Sequence, residues 1–248
     1  MNLGPKLAEG KTKLIYAHPG DAALAVMVQK DSISAGDGAR RNTIAGKGAL
    51  SGRTAANVFA LLNRAGIATH MVAAPEPAVM LVRRCTMIPL EVVMRRLATG
   101  SFLKRHPATA EGTRFDPPLV EFFLKDDARH DPQIAPEQIV AQGIAGPGEV
   151  AQITAEGRRV FEVLERAWAA QAITLVDLKI EFGRDTTGAL IVADMIDNDS
   201  WRLWPGGQKE RMLDKQVYRN MQQVTDGGLA QVRQLYETVA GLTDAWRD

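Results

Sequence analysis

Val176-Asp177-Leu178-Lys179-Ile180-Glu181-Phe182 alternates polar and apolar side chains along its whole length. A period of two predicts a strand with Asp177, Lys179 and Glu181 on one face and Leu178, Ile180 and Phe182 on the other. Residues 189–196 read as a second strand, and a four-residue turn at 186–189 would place Asp194 opposite Glu181. Two carboxylates about 5 Å apart repel by roughly 3 kcal/mol at an effective dielectric near 20. Like charges directly opposed across strands are unfavourable unless something compensates. A divalent cation is the natural compensation, and Mg²⁺ typically takes one or two carboxylates together with nucleotide phosphates. In a register one pair away, Asp194 faces solvent and the pair dissolves.

Working outward, residues 12–16 and 24–29 read as strands joined by a turn at His18-Pro19-Gly20-Asp21. A loop with four glycines spans 34–48, and residues 55–63 carry Val58, Leu61 and Leu62 at helical spacing with Gly66 just beyond. Strands at 69–73 and 79–83 complete a first α+β unit, with a boundary near Arg84. The second unit opens with a branched run at 88–94, followed by a helix or loop over 95–105 and an irregular, proline-bearing stretch at 113–118. Val160, Phe161, Leu164 and Trp168 form the apolar stripe of a helix over 152–171, where core packing is the expected role. The tail, 214–246, reads as two helices broken at Gly227-Gly228, packing on the first unit or on a second copy of the chain. The expected division is 1–86 and 87–248.

Several segments carry anion-binding chemistry. In Glu9-Gly10-Lys11-Thr12-Lys13, strand alternation puts Lys11 and Lys13 on one face roughly 6–7 Å apart, a spacing suited to successive phosphates. A solvated edge strand also carries paired lysines, and the glycine spacing of a Walker loop is missing. Arg95, Arg96, Lys104 and Arg105 flank Thr99-Gly100-Ser101, where guanidinium forks, a hydroxyl and accessible backbone N–H groups suit a phosphate monoester. An ordinary surface charge run reads the same way. Ser34 and Asp37 lie among small residues in a loop suited to clamping a polar substrate. Lys125-Asp126-Asp127-Ala128-Arg129-His130-Asp131 is dense in charge, but the four histidines lack zinc-ligand spacing and no nucleophile elbow is present.

The 248 residues carry a formal net charge of +1, so no global field draws the chain to nucleic acid or to an anionic membrane. Their 46% hydrophobic content suits a packed globular protein, and the lone Cys85 excludes an internal disulfide and suits a reducing compartment. The first residues lack the apolar core of a signal peptide and no run approaches a membrane span. The expectation is a cytoplasmic protein without a membrane or nucleic-acid partner. A small-molecule kinase and a non-catalytic nucleotide sensor are the competing readings. The kinase needs one anionic pocket where the chain offers several Arg and Lys clusters, and the sensor has no use for a carboxylate pair.

In order, the segments EGKTK-x-IY, SAGDGAR, ATGSFLKR, FLKDDARHDP, LVDLKIEFG and DNDSWRLW resemble the SAICAR synthetase family from Leu7 to about Arg219. The resemblance implies a two-lobed α+β fold similar to ATP-grasp and kinase-like architectures, with antiparallel sheets and flanking helices. It implies an ATP- and Mg²⁺-dependent ligase of purine biosynthesis that joins carboxyaminoimidazole ribonucleotide to L-aspartate through an acyl phosphate. On that reading Lys11 and Lys13 hold the ATP phosphates, and Glu181 and Asp194 hold Mg²⁺. Lys125 and Lys179 stabilise the transferring group or the aspartate carboxylates, and Asp131 orients a second metal or takes a proton from the amine. Arg95, Ser101 and Arg202 bind the 5′-phosphate, and Ser34 and Asp37 face the aminoimidazole. Met195 stands where bacterial members usually carry Glu. The stretch 194–204 looks like the synthetase half of the animal bifunctional enzyme, and with no carboxylase half in the chain a single activity is expected.

Overall fold

The computed structural model describes residues 2–36 and 38–247, the side chain of Asp127 excepted. The first half contains β1 (Lys6–Glu9), β2 (Lys13–Ala17), β3 (Leu24–Gln29), β4 (Ser32–Ala35), β5 (Arg40–Thr43), α1 (Lys47–Arg64), β6 (Met71–Glu76) and β7 (Val79–Arg83). Five of these strands form an antiparallel sheet in the order β1-β2-β3-β7-β6, while β4 and β5 make a separate hairpin. That hairpin lies inside what reads in sequence as a glycine-rich loop, and α1 begins eight residues earlier than its apolar spacing suggests. Small residues explain the early start. Gly52 approaches the β6–β7 turn so closely that a Cβ there would sit 2.0 Å from the Pro77 carbonyl oxygen.

The chain continues through β8 (Cys85–Met87), β9 (Leu90–Leu97), α2 (Ser101–Arg105), β10 (Arg114–Leu124), β11 (Gln133–Ile134), α3 (Pro136–Ala141), α4 (Pro147–Ala169), β12 (Ile173–Asp185), β13 (Leu190–Ala193), β14 (Trp201–Pro205), α5 (Gln216–Asn220) and α6 (Asp226–Thr243). A second sheet runs β11-β10-β9-β12-β13, with β8 and β14 also paired to β12. The long central strand β12 is therefore the spine of the second sheet. Arg95 and Arg96 belong to β9 rather than to a helix or loop, and the expected irregular stretch at 113–118 opens the eleven-residue β10. Propensity fails there because the prolines lie where register with β9 shifts, between Arg114 and Leu119.

Helix α4 lays Val160, Phe161, Leu164 and Trp168 against the second sheet with all four fully buried. Each such side chain contributes about 1.5–3 kcal/mol by leaving water. Trp168 meets Trp201 and Trp246 edge to face at 5.3 and 4.6 Å, tying α4 to β14 and to the tail. A parallel bridge between Thr69 and Val192 joins the first half to β13, and one apolar core runs under both sheets. The result is an α+β fold of antiparallel sheets with flanking helices.

The tail differs from expectation in one detail. Gly227 and Gly228 lie in the first turn of α6, where Thr225 caps the helix by accepting from the Gly228 N–H at 3.1 Å. The break comes before them, between α5 and α6. Helix α6 packs on α1 and, through Val232 and Tyr236, on Ile33 and Ile44 of the β4–β5 region. The chain's own first half thus receives the tail.

Candidate active site

The hairpin of β12 and β13 pairs Glu181 with Ala193, Phe182 with Val192 and Arg184 with Leu190. The expected register, with Asp194 directly opposite Glu181, is one residue out. The turn is tighter than expected, since the Asp185 N–H donates to the Ala189 carbonyl and Asp185 also caps the Thr187 and Ala189 amides. Asp194 nevertheless stays beside Glu181. Its φ of 64° takes the chain out of the strand in the left-handed region, which Asp tolerates better than most residues. Its carboxylate is not turned to solvent but ion-paired with Lys13 of β2.

Lys179 stands between the two acids, with Nζ 2.8 Å from Glu181 Oε1 and 3.8 Å from Asp194 Oδ2. Glu91 of β9 approaches the same ammonium at 3.4 Å, and Lys125 binds Glu181 Oε2 at 2.8 Å. Burial alone would raise the Glu181 pKa, but Lys179 and Lys125 outweigh it and hold the carboxyl near 2. Burial likewise opposes the Lys179 ammonium, yet Glu181 and Glu91 keep its pKa above the ordinary value. Both groups are charged at neutral pH. Among the described residues no cluster of three or more His, Cys, Asp and Glu is arranged to hold a metal. The two carboxylates nonetheless fit a hard divalent ion that takes its other ligands from phosphate oxygens and water.

This cluster sits where two cavities meet. One, of about 450 Å³, is lined by Lys11, Lys13, Lys179 and Asp194, together with most of the other predicted residues. The second, of about 420 Å³, shares Lys13 and Asp194, reaches Lys125 and Glu181, and is walled by apolar side chains including Ile15, Met27, Val82 and Met87. His70 lies in that wall, and burial beside Lys13 pushes its pKa down to about 3, leaving it uncharged. The sequence offered no signal for this slot, since strand residues that line a cavity read the same as core.

A second charged cluster joins the expected phosphate residues. Arg95 is buried between Glu121 and Asp177, bonding Asp177 Oδ2 at 2.7 Å through Nη1, and Arg202 pairs with the same Asp177 oxygen. Arg105 reaches Glu121 at 2.5 Å. The forks are therefore pre-oriented by two acids that sequence reading left without this role. Gly100, at φ 60°, lets the Arg202 guanidinium lie against its backbone, because a Cβ would sit 2.6 Å from Nη2. Ser101, at the start of α2, lines the same cleft.

Ser34 and Asp131 also line the cleft, and Asp131 Oδ1 accepts from the Asp126 N–H at 2.8 Å. Asp37 lies outside the described residues. Met195 lines the cleft with its sulfur 3.2 Å from the Gln29 amide nitrogen.

A third cluster escaped sequence reading. Lys47, Asp197, Asp199, Lys215 and Arg219 come from α1, the 197–200 loop and the region of α5, and all line the large cleft. Lys215 binds Asp199 Oδ2 at 2.8 Å, and Lys47 is 3.9 Å from Oδ1. Despite burial, those lysines hold the Asp199 carboxyl below its ordinary range, whereas burial and the adjacent Asp199 push Asp197 up. Lys47 lies at least 150 positions before the other four, so the cluster shows no spacing that could be recognised.

The family model described as SAICAR synthetase matches residues 6–235. The chain is 74% identical over 246 residues to the phosphoribosylaminoimidazole-succinocarboxamide synthase of Roseiflexus castenholzii, covering 99% of each. Its fold matches the crystal structure of the Ehrlichia chaffeensis phosphoribosylaminoimidazole-succinocarboxamide synthase with a TM-score of 0.88 at 32% identity, covering 97% of this chain and 99% of that one. It also matches a SAICAR synthetase in complex with ADP, with a TM-score of 0.86 at 33% identity, over 96% of this chain and 97% of that one.

Proposed function

The chain belongs to the SAICAR synthetase family, and on that premise we propose that it joins carboxyaminoimidazole ribonucleotide to L-aspartate at the expense of ATP, releasing ADP and phosphate. The observation that carries the reading is the meeting of Lys13, Lys179, Glu181 and Asp194 where an apolar slot opens into a polar cleft. The slot suits a purine base, and the junction suits a triphosphate. The ADP complex of a similar protein supports nucleotide binding of this kind.

A carboxylate is a poor acyl donor, because its charge repels nucleophiles and oxide is a poor leaving group. Phosphorylation removes both obstacles. The substrate carboxylate attacks the γ-phosphorus, ADP leaves, and the aspartate amine then displaces phosphate from the acyl carbon while losing a proton. The protein's part in the first step is positioning and charge neutralisation. Lys11 and Lys13 steady the phosphates, and Lys125 and Lys179 oppose the negative charge of the transferring group. Glu181 and Asp194 would hold Mg²⁺, which when bound neutralises phosphate charge. Arg202 and Ser101 bind the 5′-phosphate beside Arg95, with Ser34 toward the aminoimidazole. Aspartate fits the third cluster, where Lys47, Lys215 and Arg219 match its carboxylates and Asp197 and Asp199 match its ammonium. On this placement Asp197 and Asp199 join Asp131 as carboxylates of the same cleft that can take the amine's proton.

The test is to supply all three substrates with Mg²⁺ and follow ADP and the succinylated product. A folded preparation that releases no ADP in an aspartate-dependent manner refutes the proposal.

A further inference from the structure

We propose that Tyr236, on the tail helix α6, is a positioning residue for the acidic amino-acid subsite, acting through Asp199 and Lys47; this rests on the function proposed above. Tyr236 is 1% exposed, and its ring packs with Ile33, Ile44 and Val232. Its hydroxyl donates to Asp199 Oδ1, the oxygen that Lys215 leaves unused. Its ring face lies 4.8 Å from the Lys47 ammonium. One side chain therefore contacts both a partly buried carboxylate and a buried cation that line the cleft.

The consequence follows from what else these charges can reach. Lys47 is 1% exposed, yet its oxygen contacts are long, 3.4 Å to Ser51 Oγ and 3.9 Å to Asp199 Oδ1. A cation over an aromatic face is stabilised without surrendering its donors. As long as the phenol occupies Oδ1, Asp199 has no reason to draw Lys47 into a tight ion pair, and the ammonium keeps donor capacity for a ligand carboxylate. Without the hydroxyl, Asp199 Oδ1 loses its donor in a partly buried site while Lys215 keeps Oδ2, and an unpaired charged oxygen there is costly. The nearest replacement is Lys47, and capturing it would withdraw that cation from the subsite. The tail helix thereby sets the charge available to the substrate as well as covering the core.

Tyr236→Phe keeps the ring, its packing and the cation–π contact, and removes only the hydroxyl. The expected result is a KM for aspartate raised about 10-fold, with kcat and the KM values for ATP and the imidazole nucleotide each within about two-fold. Adding Tyr236→Phe to Asp199→Asn should change the aspartate KM no further, because the two act as one unit. Val232→Ala loosens the same helix without touching Asp199, so it should lower Tm and leave the aspartate KM within about two-fold. An unmoved aspartate KM in Tyr236→Phe overturns the inference. So does an equal rise for all three substrates, or a rise in Val232→Ala matching that in Tyr236→Phe. Wild-type protein lacking aspartate-dependent ADP release would instead overturn the proposed function itself.

Discussion

Lys13 of β2 and Asp194, the residue that follows β13, form an ion pair, so the first sheet and the central hairpin of the second are joined by charge at the mouth of both cavities. Asp194 is also within 3.8 Å of Lys179, which carries Glu181 on its other side. The lysines from two sheets and the acids of one hairpin therefore form a single network, and replacing any member is felt by the rest.

Glu181→Gln keeps the size of the side chain and removes the charge that Lys179 and Lys125 share. Turnover is expected to fall by at least about 1,000-fold, which corresponds to roughly 4 kcal/mol of transition-state stabilisation. Circular dichroism should show the wild-type fold. Activity surviving within a few-fold of wild type would remove Glu181 from the reaction.

Glu121 is nearly inaccessible and accepts from Arg95, Arg105 and Gln133. Glu121→Ala leaves Arg95 with Asp177 alone and takes from Arg105 its Glu121 carboxylate partner, leaving it the Ser101 carbonyl. Breaking a buried pair by removing one partner costs about 3–5 kcal/mol. A large drop in Tm is expected, and in protein that stays folded the KM for the imidazole nucleotide should rise more than that for ATP. Equal effects on both would argue that Arg95 does not serve the nucleotide phosphate.

Asp214 accepts from the Leu203 and Gln216 N–H groups, which favour its ionised form, but burial is the larger effect and pushes its pKa from 3.8 up to about 6. A group that binds its proton more tightly when folded stabilises the fold at low pH and loses that contribution as pH rises through its folded pKa. The urea stability of wild type minus that of Asp214→Asn should therefore decline between about pH 4 and pH 6, by at most about 3 kcal/mol, and be flat above. A difference that is constant across that window, or that grows with pH, would contradict the assignment.

Gly52→Ala tests the close approach of α1 to the β6–β7 turn. The added methyl would lie 2.0 Å from a backbone oxygen, which cannot rotate away as a side chain could. Overpacking of this kind costs about 1–3 kcal/mol or more. A lower Tm is expected although alanine favours helix, and an unchanged or raised Tm would show that the turn yields freely.

Alternation in residues 176–182 made β12 legible, and with it the side on which Lys179 and Glu181 stand. The strands at 24–29 and 79–83 were readable to the residue, because apolar runs bounded by turn residues leave little freedom. The hairpin register was not. It turned on whether Asp185 would cap the turn, a side-chain choice that shifts every pair by one. Strand β10 was hidden by its prolines, and the β4–β5 hairpin by its glycines. In both places backbone preference pointed to loop while neighbouring segments supplied the pairing.

The order of its motifs was enough to determine which family this chain belongs to, because family membership lives in local residue patterns that the sequence carries openly. Local alternation likewise assigned faces within a strand. Which charges meet was decided only by the tertiary structure. The pairing of Arg95 with Glu121 and Asp177, the placement of Asp194 by one left-handed residue, and the gathering of Lys47, Asp199, Lys215 and Tyr236 all join segments distant in the chain. Electrostatic energy depends on separation in space and on exclusion of water, and neither quantity is written in the spacing of residues along the chain.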